Sequence, residues 1–370
     1  MKSNRDLRIL IKKIKKMNYS FLIFALLIAI VGTFTVYSAT YTKGMAFFKR
    51  NIIWFLVGLI IYFLVSLIDF KIYRRYSRVI YGINVVSLLG VFVFGVTRLG
   101  AKRWIDIGFM NVQPSEFSKI FIVLTFSALL TNNYKEKFSG LKDVIMSFLH
   151  IVPIFLLIMK QPDLGTSLTL LAVFGVLIFV HGIDNRTIVI MLGSVVAFVP
   201  FAYFFLLKEY QKTRILTFLN PEKDILGSGW NVTQSIIAVG SGGLFGKGIL
   251  QGTQSKLSFL PESHTDFIGA VFLEQTGLLG GGILLGLYFF LIYNIVKVGE
   301  NSDDEYGRLV CYGIAAIIFF HTVVNIGMII GIMPVTGLPL LLMSYGGSSY
   351  IFTFIMLGIV QSVKIHSDKY

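Results

Sequence analysis

The chain has 370 residues, of which 55% are hydrophobic and 14% charged, and its mean hydropathy is +0.77. Soluble domains carry about 25% charged residues, so this composition excludes a soluble enzyme, a nucleic-acid-binding module and a disordered chain. The net charge of +14 is typical of a polytopic membrane protein whose basic residues lie near lipid headgroups. The single cysteine, Cys311, excludes an internal disulfide and a cysteine-based zinc site.

The chain begins with a basic segment, residues 1–18, and continues into an apolar run. Seven of the first twenty residues are Lys or Arg. The apolar run from Tyr19 to about Ala39 is longer than the roughly 7–15 residues of a signal peptide's apolar core. We therefore predict an uncleaved first membrane span. The basic segment is either an interfacial helix or a disordered tail, and the residues leave both open.

Apolar runs of about 20 residues, the length that spans a bilayer, recur over residues 19–370 and predict a single all-α membrane domain. About ten spans are expected, near 19–39, 51–68, 79–97, 115–131, 143–159, 164–181, 187–207, 266–296, 308–330 and 339–362. The run 266–296 is too long for one straight span, so we expect it to be tilted or to lie partly outside the bilayer.

Basic residues in the connections predict the orientation, because Lys and Arg accumulate on the cytoplasmic side. With a cytoplasmic N-terminus, the inside segments hold 19 Lys and Arg and the short outside segments hold 8. The long segment 208–265 holds the other six and is left out, because long translocated segments follow the rule poorly. The count predicts that both termini are cytoplasmic.

Two segments outside the spans keep a mixed character. Residues 208–265, predicted to be an extracytoplasmic loop between the seventh and eighth spans, interleave aromatic and aliphatic residues with glycines. Long loops are usually functional or disordered, and this composition favours short helices and turns packed on the outer face. Residues 98–118 mix charged residues with Trp104 and Ile105. We expect this second segment to lie along the membrane interface, where Trp is favoured.

The glycine-rich run from Gly240 to Gly248 invites a nucleotide-binding interpretation. A P-loop needs Gly-Lys followed by Ser or Thr and a glycine five residues before the second one. Here Lys247 is followed by Gly248, and Ser241 occupies the earlier position, so we reject a P-loop. Tight turns that let the backbone approach a neighbour closely are favoured, and anion binding helped by Lys247 stays open.

Four carboxylates lie at or near membrane depth, where acidic side chains are costly and often functional: Glu116, Asp163, Asp266 and Glu274. Asp163 and Asp266 each precede an apolar run, so either could cap the next helix, and any of the four could belong to a buried ion pair. The basic side chains that could face them are Arg103, Lys119, Lys247 and Arg214. Such a grouping suits a lipid-linked anionic substrate, with cations on its phosphates and a carboxylate as general base.

The five histidines show no HExxH or other ligand spacing, so a protein-built zinc site is not expected. His264 is nevertheless retained as a candidate, because it lies in the polar run Pro261-Glu262-Ser263-His264-Thr265-Asp266. Glu262 in the same run is the alternative carboxylate if Asp266 is only a helix cap.

Several polar segments follow one another over nearly the whole chain. They include Gly100-Ala101-Lys102-Arg103-Trp104-Ile105, Gln113-Pro114-Ser115-Glu116 with Lys119, Gln161-Pro162-Asp163-Leu164-Gly165-Thr166, Phe259 to Ile268, Asn325-Ile326-Gly327, Pro334 to Pro339, and Ser344 to Ser349. In these segments the sequence resembles the SEDS family (shape, elongation, division and sporulation), specifically its RodA branch. A sporulation-specific member stays open, and the basic tail lies outside the family pattern.

The resemblance implies a peptidoglycan glycosyltransferase that polymerises lipid II at the outer face of the bacterial cytoplasmic membrane. Such an enzyme joins the anomeric carbon of the growing glycan to the 4-hydroxyl of the next GlcNAc and releases undecaprenyl diphosphate. It also implies a class B penicillin-binding protein as partner, together with other elongation proteins and membrane lipid, and no nucleic acid. Two alternatives from other classes stay open: a lipid II flippase, and a non-catalytic scaffold for the penicillin-binding protein.

The resemblance also assigns residues. The family's catalytic aspartate corresponds to Asp266, and Arg103 and Trp104 match its Arg-Trp pair. The other residues expected to contact substrate are Lys119, Glu116, Asp163, Lys247, Glu262 and His264. Positive charge for the leaving diphosphate is expected from Arg103, Lys119 or a bound divalent cation, Mg²⁺ or Mn²⁺.

Overall fold

The computed structural model describes residue 13 and residues 16–98, 101–108, 110–134, 138, 140–221, 224, 227–256 and 259–367. The predicted basic tail, 1–18, therefore lies mostly outside the described residues. The helices in chain order are α1 (Tyr19–Thr40), α2 (Ala46–Leu67), α3 (Lys71–Arg75), α4 (Ser77–Phe94), α5 (Pro114–Asn133), α6 (Leu141–Phe148), α7 (Val152–Lys160), α8 (Leu164–His181), α9 (Asn185–Phe205), α10 (Glu209–Leu219), α11 (Ser228–Ser241), α12 (Thr253–Lys256), α13 (Ile268–Glu300), α14 (Glu305–Ile329) and α15 (Gly347–Ser367).

The helical membrane domain predicted from the apolar runs is confirmed. Within the described ranges, nine helices are long and apolar enough to cross a membrane. The pair α6 and α7, bent by 48° where they meet, makes a tenth if it is one span. Helices suit this environment because they satisfy every backbone hydrogen bond internally. The protein is an integral membrane protein.

The bundle has a polar interior around α5, α14 and α15, in which about three quarters of the residues of each span are buried. Helix α5 carries buried Ser115, Glu116, Ser118 and Lys119 near its start. At the other extreme, no residue in the apolar window of α9 is buried, so this helix is left to face lipid. A cluster of charged and hydroxyl side chains thus lies in the interior of the bundle at the start of α5.

Helix α13 is broken at Gly277, whose φ of 66° and ψ of −167° are not helical. The glycine-rich run fills the break, because the Gly243 carbonyl accepts from Leu278 N at 2.9 Å and Lys247 N donates to the Glu274 carbonyl at 3.0 Å. A Cβ at Gly246 would overlap the Gln275 backbone, so the predicted close approach of the glycines is confirmed. Residues 278–300 alone are about 35 Å long, which exceeds a hydrocarbon core of about 30 Å.

A small antiparallel sheet, which an all-α expectation did not include, lies between α4 and α5. Its strands are β1 (Val96–Arg98), β2 (Ala101–Asp106) and β3 (Asn111–Val112). Trp104 on β2 pairs with Val96, and Ile105 pairs with Val112. The sheet matters because it holds Arg103 and Trp104 beside the first turn of α5.

The last predicted span, 339–362, was wrong at its start. Helix α15 begins at Gly347, and residues 333–346 form no helix. Pro339 lacks the N–H that a helix interior needs, and Gly337 has a φ of +76°. Asn325 supports this irregular backbone by donating from Nδ2 to the Leu338 carbonyl at 2.8 Å.

The long segment between α9 and α13 contains the three short helices α10, α11 and α12, in keeping with the short helices expected there. Helix α11 packs against α13 and α14. Ser235 of α11 donates from Oγ to the Ile329 carbonyl at the end of α14, at 2.9 Å. Packing of this kind holds the segment against the end of the bundle where the polar residues gather.

Candidate active site

A cavity of about 350 Å³ opens at the end of the bundle where β2, α5 and α15 meet. Its walls come from segments that are far apart in the sequence. Six of the nine residues predicted for the site line it: Arg103, Trp104, Glu116, Asp163, Glu262 and Asp266. The structure therefore brings together most of the polar motifs that the sequence presents separately.

Asp266 is held by its backbone in a turn just before α13. Asn325 donates from Nδ2 to the Asp266 carbonyl at 2.9 Å, and Ser344 donates from Oγ to the Thr265 carbonyl at 2.8 Å. Helix α13 begins at Ile268 with Phe267 as its N-cap. The interpretation of Asp266 as a helix cap is therefore wrong, and its side chain is left available to the cavity.

The Asp266 carboxylate is half-buried, and among the described residues no group donates a hydrogen bond to it. Burial and, to a smaller extent, the negative charge of Glu262 raise the pKa of this carboxyl to about 6, although Arg214 and Arg103 act in the opposite direction. A carboxyl with this pKa is ionised at neutral pH and still basic enough to accept a proton. Those properties suit a general base.

Two guanidinium groups, those of Arg103 and Arg214, line the cavity. Arg103 on β2 donates from Nε to the Gln161 carbonyl at 3.0 Å and from Nη2 to the Pro162 carbonyl. Arg214 on α10 donates from Nη1 to the Val335 carbonyl at 3.1 Å. Burial lowers the pKa of Arg214, and the nearby charge of Arg103 lowers it further. Because both groups are held by neutral carbonyls, their charge is available to an anion.

Glu262 has a backbone φ of +48°, in the left-handed region that costs a non-glycine residue about 1–2 kcal/mol. Its carboxylate accepts from Thr265 Oγ1 at 3.0 Å, and its carbonyl accepts from Thr265 N at 3.1 Å. These bonds close the tight turn that leads to Asp266. Backbone strain of this kind is often found at functional sites.

Asp163 is the N-cap of α8, as its position before an apolar run predicted. One carboxylate oxygen accepts from Thr166 N at 3.2 Å, and the other accepts from Ser115 Oγ at 2.8 Å, Gln113 Nε2 at 3.0 Å and Thr166 Oγ1 at 2.9 Å. Four donors leave little of this carboxylate for a ligand. Asp163 therefore joins the start of α5 to the start of α8 in the cavity wall.

Glu116 and Lys119 form a buried pair on α5, with 2.8 Å between Oε1 and Nζ. Lys119 Nζ also lies 2.8 Å from His321 Nε2 and 4.6 Å from the centre of the Phe352 ring. His321 Nδ1 lies 2.9 Å from the Pro339 carbonyl, which can only accept, so Nδ1 carries the proton and Nε2 accepts from Lys119. Lys119 thus lies behind the cavity wall, and its donors are occupied by protein.

Two predicted contacts lie outside the cavity. Lys247 pairs with Glu274 in α13, with 2.9 Å between Nζ and Oε1. Its charge therefore neutralises a buried carboxylate and does not face an anion in the cavity. The His264 ring packs edge-on against Phe47 at 5.0 Å. Burial lowers the pKa of His264, which favours its neutral form. Neither residue lines this cavity, and the contact with substrate expected of each stays a prediction.

Some lining residues were not predicted. They are chiefly small or neutral residues next to the predicted ones: Ala101, Asn111, Gln113, Thr166, Thr265, Gly337, Pro339, Tyr345, Gly346, Gly347, Ser348 and Ser349. Most of these residues lie inside the polar segments that carry the family resemblance, so membership of those segments was the sequence signal that could have predicted them. Arg214 was named only as a possible cation. Its position on α10 inside the long segment gave no sign that it would line the same cavity as Arg103.

Comparisons with known proteins agree on what this chain resembles. A family model described as "Cell cycle protein", for FtsW, RodA and SpoVE, matches residues 18–369. The chain is 39% identical to the peptidoglycan glycosyltransferase MrdB of Escherichia coli K12 over 93% of its own length and 92% of that protein. It is 34% identical to the stage V sporulation protein E of Bacillus subtilis, over 93% and 96%.

A solved structure is also similar to this chain over nearly its whole length. A chain from a work titled "Structural coordination of polymerization and crosslinking by a peptidoglycan synthase complex" matches with a TM-score of 0.83 and 29% identity, over 95% of this chain and 99% of that one. The resemblance read from the polar segments is thereby confirmed. This chain belongs to the FtsW, RodA and SpoVE family of membrane proteins.

Proposed function

We propose that this chain is a peptidoglycan glycosyltransferase that polymerises lipid II in the cavity around Asp266. The observation that carries the proposal is one carboxylate, free of hydrogen bonds among the described residues and with a pKa of about 6, facing Arg103 and Arg214. The relatives named for this activity match over nearly the whole chain. The role is glycan synthesis for cell-wall elongation and rod shape.

The reaction needs a base, an electrophilic carbon and a stabilised leaving group. Asp266 takes the proton from the GlcNAc 4-hydroxyl of lipid II while that oxygen attacks the anomeric carbon of the growing glycan. The bond from the anomeric carbon to the diphosphate oxygen breaks, and undecaprenyl diphosphate leaves with the electron pair. The configuration at the anomeric carbon inverts, and Asp266 then returns its proton to water.

The leaving diphosphate needs positive charge that is already in place. Arg103 and Arg214 supply it, since each keeps guanidinium donors beyond those bound to carbonyls. Within the described ranges, no three His, Cys, Asp or Glu side chains are grouped so as to hold a metal ion. Glu116 is paired with Lys119 and Asp163 accepts four bonds. Asp266 and Glu262, the other two carboxylates that line the cavity, could share such an ion with substrate phosphates, which is how proteins often hold Mg²⁺. The divalent cation stays a prediction, and no step is routed through one.

Trp104 offers a flat apolar face to the cavity from β2, and we assign it to contact with a sugar ring. The partner we propose is a class B penicillin-binding protein, which would crosslink the strands made here. The similar chain solved in work on a peptidoglycan synthase complex supports this pairing.

The direct test is polymerisation of purified lipid II by this chain alone, and then with a partner whose transpeptidase serine is replaced. We expect glycan strands in gel or chromatographic analysis, and more of them when the partner is present. A flippase would produce no glycan in either case. A scaffold would produce none with a partner that lacks its own glycosyltransferase domain.

The rate should depend on pH through Asp266. Because only the ionised carboxylate accepts a proton, the polymerisation rate should fall below about pH 6, by roughly tenfold per pH unit. Glu262 raises the pKa of Asp266, so Glu262→Gln should move this limb to lower pH. Initial rates between pH 5 and 8 measure the effect. An identical pH profile of the rate in Glu262→Gln would mean that the titration of Asp266 does not control the rate.

We propose that both termini are cytoplasmic and that the cavity opens on the outer side. Gln251 and Asp303 are both exposed. Gln251 N donates to Gly248, which is bonded to Gln275 beside the break in α13, whereas Asp303 follows the C-terminal end of that helix. Gln251→Cys should react with a membrane-impermeant thiol reagent in intact cells, and Asp303→Cys should not. The native Cys311 is buried and gives a low background. Reversed labelling would reverse the orientation.

A further inference from the structure

A second cavity, also of about 350 Å³, lies between the first turns of α4, the last turns of α5 and the joint between α6 and α7. Helix α5 starts at the candidate active site and ends beside this cavity. Its 20 residues are about 30 Å long, so the two cavities lie at opposite ends of the bundle. Nothing in the proposed reaction uses this second cavity.

The lining of this cavity carries one permanently charged side chain, that of Arg78, among neutral polar ones: Ser77, Tyr81, Thr125, Asn132, Asn133 and His150. The guanidinium of Arg78 and the carboxamide of Asn133 line it, and neither has a hydrogen bond or ion pair with another described residue. The Asn132 oxygen accepts from Arg74 Nε at 3.1 Å and Nη2 at 2.9 Å, which leaves its NH₂ group as a free donor. No carboxylate among the described residues lines the cavity.

The cavity also lies where the local field is positive. Arg78 is in the first turn of α4, an 18-residue helix whose N-terminal N–H groups favour an anion. The preceding short helix α3 adds Lys71, Arg74 and Arg75. A ligand that carries a negative charge and accepts several hydrogen bonds therefore fits this cavity best, and a phosphate group has both properties.

The surfaces on both sides of the cavity are apolar and exposed. On α4, Val79 and Ile83 are 56% and 53% exposed, and on the other side Ile145 and Leu149 are 52% and 54% exposed. In a membrane protein such residues face acyl chains. A phosphate that carried its own acyl chains would have them in contact with lipid-facing helix surfaces, whereas a free phosphate would gain nothing there.

We propose that this cavity binds the phosphate headgroup of an anionic membrane phospholipid, with Arg78 as its principal cationic contact. Asn132 and Asn133 donate to the remaining phosphate or glycerol oxygens, and the acyl chains lie along α4 and α6. In the proposed orientation the cavity is at the cytoplasmic leaflet, where anionic lipids create a negative surface. The proposal does not depend on the activity of the opposite cavity.

The test is native mass spectrometry of the purified full chain in detergent, titrated with phosphatidylglycerol, phosphatidylcholine or inorganic phosphate. We expect one phosphatidylglycerol to bind in preference to phosphatidylcholine. Since one basic residue near a membrane surface contributes about 1 kcal/mol, Arg78→Gln should weaken that binding about fivefold. The matched control is Arg75→Gln, which removes the same charge from the exposed α3 outside the cavity, and it should change binding less than twofold.

Three results would overturn the proposal. Equal binding of phosphatidylcholine would mean that the headgroup charge is not recognised. Equal losses in Arg78→Gln and Arg75→Gln would mean diffuse attraction of lipid to a basic surface. Displacement of phosphatidylglycerol by inorganic phosphate at an equal concentration would assign the cavity to free phosphate. Thermal melting in detergent shows whether each variant is folded. If Arg78→Gln is not folded, Arg78→Lys replaces it, because lysine keeps the charge but loses the forked geometry of the guanidinium.

Discussion

Replacing Asp266 with asparagine is expected to lower the rate of glycan polymerisation by about 10²–10⁴-fold, the usual contribution of a general base. Asparagine keeps the volume of the side chain but cannot accept the proton of the attacking hydroxyl. The contacts that hold the turn go to backbone carbonyls of Asp266 and Thr265, so they remain. Strand synthesis from purified lipid II measures the rate, and binding of lipid II should be retained.

The control for this substitution is Asp106→Asn, on the same sheet as Arg103 but exposed and outside the cavity lining. It also removes one negative charge, and it should leave the rate unchanged. A wild-type rate in Asp266→Asn would exclude Asp266 as the base. The assignment would then pass to Glu262, the other carboxylate of the turn.

The second large effect is expected on stability. In Lys119→Met, Glu116 remains buried with neither oxygen paired, because Oε1 bonds only to Lys119 and Oε2 has no partner among the described residues. Breaking one half of a buried pair costs about 3–5 kcal/mol. We expect a clear fall in the temperature at which the purified protein loses its monodisperse folded form on heating in detergent.

Two comparisons separate this structural role from the substrate contact suggested by the sequence. Adding Glu116→Gln to Lys119→Met removes the orphaned charge and should restore much of the stability. Lys212→Met breaks a pair with Glu209 at 3.3 Å on the exposed surface of α10, where ion pairs contribute little, and it should change almost nothing. A stable Lys119→Met that fails to bind lipid II would reinstate Lys119 as a substrate contact.

The spans could be predicted because the bilayer demands about 20 apolar residues in a row, whatever those residues contact. The same count failed at residues 339–346, which are apolar but not helical. Hydropathy does not register that Pro339 cannot donate or that Gly337 adopts a left-handed conformation. The sheet around Trp104 was missed for a related reason, because strands of two to six residues leave a weak pattern in one sequence.

The candidate site was predicted as a set of motifs but not as a set of contacts. A carboxylate in a motif can face a ligand or a neighbour, and only the fold decides. Asp266 faces the cavity, whereas Glu274 faces Lys247 and Asp163 faces four donors. Sequence spacing gave Glu116 and Lys119 as neighbours three residues apart, but it could not place His321, about 200 residues later, against the same ammonium.

The pair between Glu274 and Lys247 bears on how the chain is made. A buried carboxylate is costly unless it is paired, and Glu274 is fully buried in the short part of α13 that precedes the break at Gly277. Its Oε1 accepts from Lys247 Nζ at 2.9 Å and from Thr253 N at 2.8 Å. Both partners precede Glu274 in the sequence, so a ribosome completes them first. The counter-ion is therefore part of the nascent chain before the carboxylate that needs it has been added.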